Sequence, residues 1–528
     1  MDTPRLNLLT APLIRIRDTQ GQAASLTLPE LFVALTHDTV RDYPALRPHQ
    51  RHPWHSLLVQ LAALALHQAG ESQPWETPAD WQRALLALTP NHPDGAAFCL
   101  VSPHDQPAFL QPPVPGGSID DWKKHIPTPD ALDMLVTSKN HDLKGERMRR
   151  AQADDWLFAL TSLQTQEGVQ GNGKRGISRM NSGFGSRAAV GLAPRGATGR
   201  RWLRDVQALL NARDNVVAAI GLSAQGGIAL LWLPPWNGTG SIQFTDLDPF
   251  YIEICRRIRL TLKGDSEELA AYGTTSKTDR ICSDGRNGIT GDAWLPIETE
   301  KALTLPPSGF NYRLLTDIVW GSKYHRTVSL APREEDGSSG IQVLAQGITR
   351  GNGKTAGYHE RRIPLSKKAV SLLRRGQSDL PALLASQRIA HIASMHGVLR
   401  GALLVFLEAG RKSPDFDRRT AKQQVEPFVK AFERTEDARF FDDLNIELEA
   451  DTEADRHAER LRWLIGLAER AEAVLRSAFA IGPQCGERRY RARSRALSYF
   501  HGALRSGKHF PELAQHLHAD SFAEETSP

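Results

Sequence analysis

Between Gln164 and Arg187 the chain reads QTQEGVQGNGKRGISRMNSGFGSR, a composition that no regular element survives. Gly168, Gly171, Gly173, Gly176, Gly183 and Gly185 interrupt it too often for a helix interior or a strand. Each glycine gives up more backbone entropy than any other residue and offers no side chain to pack. The stretch must therefore be carried as a loop by elements on either side of it. Lys174, Arg175, Arg179 and Arg187 string positive charge along the same backbone. Closely spaced amides beside such charge can form an anion-binding concavity. Two readings stay open at this point, an exposed connector and a loop that touches a phosphate-rich ligand. Neither GxxxxGK[ST] nor GxGxxG in a strand-to-helix setting occurs here, so the stretch carries no nucleotide-binding fingerprint.

A framework for such a loop is available in a chain of 528 residues with 40% hydrophobic composition, which buries a large core and divides into two or more domains. The 65 Lys and Arg against 60 Asp and Glu give a net charge of +5, compatible with basic patches on a mixed surface. Cys99, Cys255, Cys282 and Cys485 stand too far apart for a CxxC half-site, so no structural zinc and a reduced, cytoplasmic setting are expected. The start, MDTPRLNLLTAPLIRIRD, lacks a secretory pattern, and no stretch supplies the roughly 20 apolar residues of a membrane span. No membrane partner is expected.

Taken in order, Asn7 to Arg17 reads as a strand, and Pro29 fits an early helical position. Trp54 to Gly70 carries leucines at helical spacing, as a buried helix does. The prolines of Ala108 to Pro115 exclude a central strand. Thr137 to Trp156 gathers Lys139, Lys144, Arg147, Arg149 and Arg150 ahead of a helix at Ala151 to Leu163. This segment is a solvated loop or, with the glycine stretch that follows, part of a shared electropositive surface. Beyond Arg200 and Arg201, two short helices are expected at Trp202 to Leu210 and Val216 to Leu222, then strands at Ile228 to Trp232 and Ile242 to Phe250. Tyr251 to Leu260 reads as a strand with Arg256, Arg257 and Arg259 exposed, and Gly264 to Leu303 as irregular. A second basic glycine stretch spans Ile341 to Arg362, with Gly351, Asn352, Gly353 and Lys354 at its turn. The mixture describes an α+β domain over residues 1–377 rather than repeated βαβ units.

From residue 378 to 528 the pattern changes to long amphipathic stretches, beginning with SDLPALLASQRIAHIASMHGVLRGALLVFLEAG and continuing at Val425 to Phe440, His457 to Phe479 and Tyr490 to Leu504. A C-terminal four-helix bundle gives these stripes one core. Arg419, Lys422, Lys430 and Arg434 share one helical face, and Arg488, Arg489, Arg491 and Arg493 form a denser cluster, both suited to a nucleic-acid backbone. The tail HADSFAEETSP is expected to fray.

Catalytic motifs are missing. His49, His52 and His55 lie close in sequence without a Cys or acidic partner at ligand spacing, and HExxH and GxSxG do not occur. Asp154 with Asp155 and Asp246 with Asp248 are more simply caps or solvated turns than metal ligands. No cofactor is called for. A metal-dependent nuclease and an RNA-binding scaffold without motif recognition remain the alternative functions.

The ordered set of segments NLLTAPLIRIR at Asn7 to Arg17, PAFLQPP at Pro107 to Pro113, LFALTSLQTQ at Leu157 to Gln166, the two glycine stretches, ERR at Glu360 to Arg362 and FVKAFERTEDARFF at Phe428 to Phe441 resembles the large-subunit family of the type I-E CRISPR surveillance complex Cascade, called CasA or Cse1. The resemblance covers most of residues 7–505. It implies a non-catalytic subunit that joins other Cascade subunits and a crRNA, recognises the protospacer-adjacent motif (PAM) in double-stranded target DNA, helps open the duplex and recruits a separate helicase-nuclease. Carried onto this sequence, it makes Lys139, Lys144, Arg147, Arg149 and Arg150 the loop toward crRNA and assembly. It makes Gly171, Gly173, Lys174, Arg175 and Arg179 a DNA-proximal loop, and Gly351, Asn352, Gly353 and Lys354 the wedge. Arg419, Lys422, Arg488, Arg489, Arg491 and Arg493 are the DNA-backbone candidates. The sequence departs from the family's wedge in lacking its glutamine and in the spacing before ERR. For the family's minor-groove lysine, Lys277 and Arg286 are both open.

Overall fold

The computed structural model describes residues 3–133, 150–171, 173–181, 187–196, 198–263, 268–337, 340–351, 354–408, 419–482 and 485–525. The chain forms two compact units, Met1–Phe310 with Ser322–Ile363, and Asn311–Gly321 with Pro364–Pro528. The first is α+β and the second helical, so a mixed N-terminal region precedes a helix-rich C-terminal one.

The first unit is built around the helix Arg51–Ala69, which is buried nearly all round and ends at Gly70. The helices Pro78–Ala87, Ala153–Gln166 and Thr198–Ile220 and the strand Leu247–Ile252 pack on it. Such enclosure explains why leucine and alanine occupy almost every position from Leu57 to Leu66. Thr27 caps the helix Leu28–Thr36 in a reciprocal box with Glu30, and Pro29 sits in its first turn.

Several local expectations are corrected. The first segment is two strands, Arg5–Asn7 paired with Cys99–Val101 and Ile14–Asp18 paired with Ala23–Leu26 and Val40–Asp42. Between them the Asn7 side chain accepts a hydrogen bond from the Leu9 amide at 2.9 Å and folds the backbone over. The two short helices expected around Asn211 to Asn215 are one helix, Thr198–Ile220. There Arg213 pairs with Asp248 at 2.9 Å and lies over the Phe250 ring, a tertiary contact that outweighs the weak propensities of Asn and Asp. Within the region read as irregular, Leu269–Thr274 is a strand, lying between Arg257–Leu262 and Lys124–Ile126 in a three-stranded antiparallel sheet.

The second glycine stretch is not a loop throughout. Ile341–Gly351 and Lys354–Pro364 are 11-residue strands in a sheet with Ala189–Pro194, which pairs only as far along as Gln346. The hairpin thus extends beyond its third strand, and the two residues between its arms are Asn352 and Gly353.

In the helical unit, Asp379–Leu407 packs against Arg419–Glu449, Glu453–Ser477 and Gly486–Arg505. By length and composition Asp379–Leu407 is also apolar enough to cross a membrane; here it is the helix that the other three contact. Arg388 is buried between Glu447, at 2.8 Å, and the face of Trp463. The helix Tyr312–Val319 belongs to this unit through Tyr312, whose ring lies 4.6 Å from that of Phe440 and whose hydroxyl donates to Glu433 at 2.8 Å. The tail expected to fray, from His518, is helical as far as Glu525, as the end of a further helix, Pro511–Glu525.

Candidate nucleic-acid interface

The glycine stretch starts from a fully anchored point. At the end of the helix Ala153–Gln166, the buried Gln164 amide donates to the carbonyls of Leu110 and Arg256 at 2.8 and 3.0 Å. Its oxygen accepts from the amides of Cys255 and Arg256 at 3.0 and 2.8 Å. Three residues on, the buried Glu167 carboxylate is ion-paired with Arg350 of the long hairpin. Burial pushes the Glu167 carboxyl above its ordinary range, while the charges of Arg350 and Arg256 pull it back. The two glycine stretches that stand apart in the sequence are joined at their roots.

Past this anchor the chain makes a tight turn. The Gln170 amide donates to the Lys174 carbonyl at 3.0 Å and the Lys174 amide to the Gly171 carbonyl at 2.8 Å. Gly173 has φ +72°, and a Cβ there would come within 2.8 Å of Thr275. Only glycine serves at that position. The closeness is used: the Ser276 amide donates to the Gly173 carbonyl at 2.8 Å. Arg175 reaches the same segment and donates to the carbonyls of Ser276 and Lys277.

Positive charge collects around this turn. Lys124, on the strand Lys124–Ile126 opposite Gly273, has its ammonium pKa lowered by burial first and then by the charges of Lys174 and Arg256. Lys277 is exposed directly beside the Gly173 contact. Arg286, the other candidate for the same role, lies 4.0 Å over the Phe244 ring and donates to the Ile220 carbonyl at 3.1 Å. Sequence reasoning passed over Lys124, because only the pairing of its strand with Leu269–Thr274 brings it here.

Other predicted cations do different work. Arg179 is buried, stacked 4.2 Å from the Tyr251 ring, donating to the Tyr251 carbonyl at 2.9 Å and facing Glu253 at 3.5 Å. It braces the fold behind the turn. Arg256 and Arg259, expected at the surface, are buried as well. Arg256 donates to the Gly168 carbonyl at 2.8 Å, and Arg259 to four carbonyls between Ser102 and Gln111 within 3.3 Å. In the helical unit Arg493 lies 5.3 Å over Phe479 and donates to its carbonyl at 3.2 Å. Arg488, Arg489 and Arg491 are exposed on the same helix, with Glu487 at 4.0 Å from Arg491. Arg419 is exposed and Lys422 half-buried.

Arg150 is exposed, whereas Lys139, Lys144, Arg147 and Arg149 lie outside the described residues. Gly351 and Lys354 end the two strands of the hairpin, and Asn352 and Gly353 lie outside the described residues.

Asp154, Asp155 and Asp248 and the three histidines make contacts within the fold, while Asp246 is exposed. Asp154 takes the guanidinium of Arg15 at 2.6 Å, and Asp155 accepts from the Gln152 amide at 2.8 Å. His49 meets Asp133 at 2.8 Å and His55 meets Asp205 at 2.8 Å, while His52 packs edge-on to Trp294. Burial and the Arg201 charge hold His55 down to about 4 despite Asp205. Among the described residues no group of three or more His, Cys, Asp or Glu side chains is arranged to hold a metal ion.

The fold is that of solved CRISPR-associated Cse1 and CasA proteins. Against Cse1 from Acidimicrobium ferrooxidans the TM-score is 0.66 at 14% identity, over 94% of this chain and 97% of that one. Against Cse1 from Thermobifida fusca it is 0.63 at 16% identity, over 97% and 99%. Against CasA from Thermus thermophilus it is 0.60 at 15% identity, over 95% and 99%. The sequence matches no protein-family model and no curated protein.

Proposed function

We propose that this chain, which has the Cse1 fold over nearly its whole length, is the large, non-catalytic subunit of a type I-E Cascade complex. In this reading it assembles with crRNA and other Cascade subunits in the cytoplasm, reads the motif flanking the target in double-stranded DNA, helps open the duplex and recruits a separate helicase-nuclease. Guide pairing supplies the long sequence match, and the protein reads only the short flank.

The observation that carries the reading is the joining of the Gly171–Lys174 turn to the Thr275–Lys277 segment on one side and to the hairpin root on the other. A glycine turn lets a duplex approach the backbone, Lys174, Lys277 and Lys124 meet phosphate or groove, and the projecting hairpin enters beside the flank as a wedge. Binding energy released at the flank then lowers the cost of the first RNA–DNA base pairs. The segment holding Lys139, Lys144, Arg147, Arg149 and Arg150 faces crRNA and assembly in this scheme.

The test is co-purification with guide RNA and partner subunits, followed by opening of supercoiled targets whose flanking bases are randomised. Wild-type assemblies should open a subset of flanks. Changing Asn352, Gly353 and Lys354 together should impair opening while leaving assembly intact. Equal opening by both assemblies would remove the wedge assignment, and DNA cleavage by the purified chain alone would favour a nuclease instead.

A further inference from the structure

The segment Thr275–Thr278 touches a second turn on its other side. The Gly238 carbonyl accepts from the amides of Lys277 and Thr278 at 2.7 and 3.2 Å, and the Thr278 hydroxyl donates to the Gly240 carbonyl at 3.1 Å. Gly238 has φ +86°, and a Cβ there would lie 3.2 Å from Arg257 and from Ser276 Cα. The turn sits this close because Gly238 has no side chain. Three segments are thereby tied edge to edge by hydrogen bonds, the Gly173 turn, the Lys277 segment and the turn from Asn237 to Gly240.

At the head of the third turn stands Asn237, exposed to solvent. Its side-chain oxygen accepts from the Thr239 amide at 2.9 Å and from the Thr239 hydroxyl at 2.6 Å. Those two bonds decide which way the carboxamide faces. Its oxygen is engaged within the turn, and its NH₂ group has no acceptor among the described residues.

We infer that the turn Asn237–Gly240 is a third part of the duplex-reading surface, and that the Asn237 amide is a specificity-determining donor to base edges in the minor groove. The inference rests on the reading of the glycine turn and Lys277 given under Proposed function. A minor groove about 6 Å wide admits loops such as these rather than a helix. Its floor offers acceptors at every base pair, and the guanine amino group is the one donor that obstructs a second donor. An amide fixed by Thr239 beside Lys277 therefore favours A·T over G·C at one base pair of the flank.

The experiment compares assembled complexes carrying wild-type chain, Asn237→Asp and Asn237→Ser on duplexes in which each flanking pair is permuted. Both variants keep an oxygen for Thr239 and remove the amide donor. Loss of about tenfold discrimination between A·T and G·C at one position, with the other positions unchanged, is expected. The added charge of Asp lowers affinity for every duplex alike, which the permuted set separates from a change at one pair. Wild-type discrimination at every position in both variants would overturn the inference. A wild-type complex indifferent to all flanks would instead overturn the function on which it rests.

Discussion

Arg350 and Glu167 form an ion pair between segments 183 residues apart, with the guanidinium side chain 6% exposed and the carboxylate not at all. The pair fixes the arm of the hairpin to the foot of the glycine turn. Removing one partner strands the other charge in a poorly solvated place, at a cost of about 3–5 kcal/mol. Arg350→Met should therefore lower the stability of the first unit by that order in urea unfolding. The double change Arg350→Met with Glu167→Gln should recover most of the loss. A single variant as stable as wild type would mean that the pair contributes nothing.

Lys277 and Arg286 have different surroundings and should separate cleanly in experiment. Lys277→Ala should leave the melting temperature unchanged, weaken duplex binding across sequences and lower the salt slope by about 1. Arg286→Ala removes a ring interaction and a carbonyl bond, and should cost about 1–2 kcal/mol of stability with the salt slope retained. The reverse pattern would exchange their roles.

The arginines of the helix Gly486–Arg505 divide in the same manner. Neutralising Arg488, Arg489 and Arg491 should lower the salt slope of DNA retention by up to about 3, one for each phosphate that an arginine neutralises. Arg493→Gln should act on stability instead, by about 1 kcal/mol, because that side chain is held against Phe479. Identical binding by the triple variant across a salt series would assign the cluster to solvent alone.

Acid should destabilise the first unit before it protonates ordinary carboxylates. His55 is held to about 4 in the folded chain against 6.5 when free, so the unfolded chain binds more protons between these values. Stability is complete above pH 6.5 and falls as the pH drops toward 4. Burial pushes the Asp205 carboxyl up, but the His55 hydrogen bond and the charges around it bring it down to about 2, which extends the fall from pH 3.8 downward. His55→Gln should flatten the pH dependence of melting between 6.5 and 4 by a few kcal/mol in total. An unchanged slope would show that His55 does not titrate with unfolding.

Much of the architecture was legible because it follows from periodicity and caps. The buried helix ending at Gly70, the helix with Pro29 in its first turn and the four bundle helices announce themselves through leucine spacing and terminal residues. The arginines did not, since a sequence records their charge and not their hydrogen bonds. Arg179, Arg256, Arg259 and Arg493 gather carbonyls or cover rings inside the fold, while Arg488 and Arg489 face solvent, and all six look alike in one dimension. The helix through Asn211 to Asn215 was hidden for a related reason, because its support comes from Asp248 and Phe250 in a distant strand.

The helix Tyr312–Val319 bears on the order in which the molecule can be made. Its partners Glu433 and Asp437 follow Tyr312 by 121 and 125 residues. At translation rates of about 5–20 residues per second, Tyr312 waits roughly 6–25 s on the ribosome before Phe440 is synthesised to receive it. The chain meanwhile continues through the strands of the hairpin, so the first unit is complete in sequence while this helix still waits for its partners. A truncation at Ile363 would leave that helix with its apolar face uncovered, and a fragment starting at Pro364 would lack a piece of its own core.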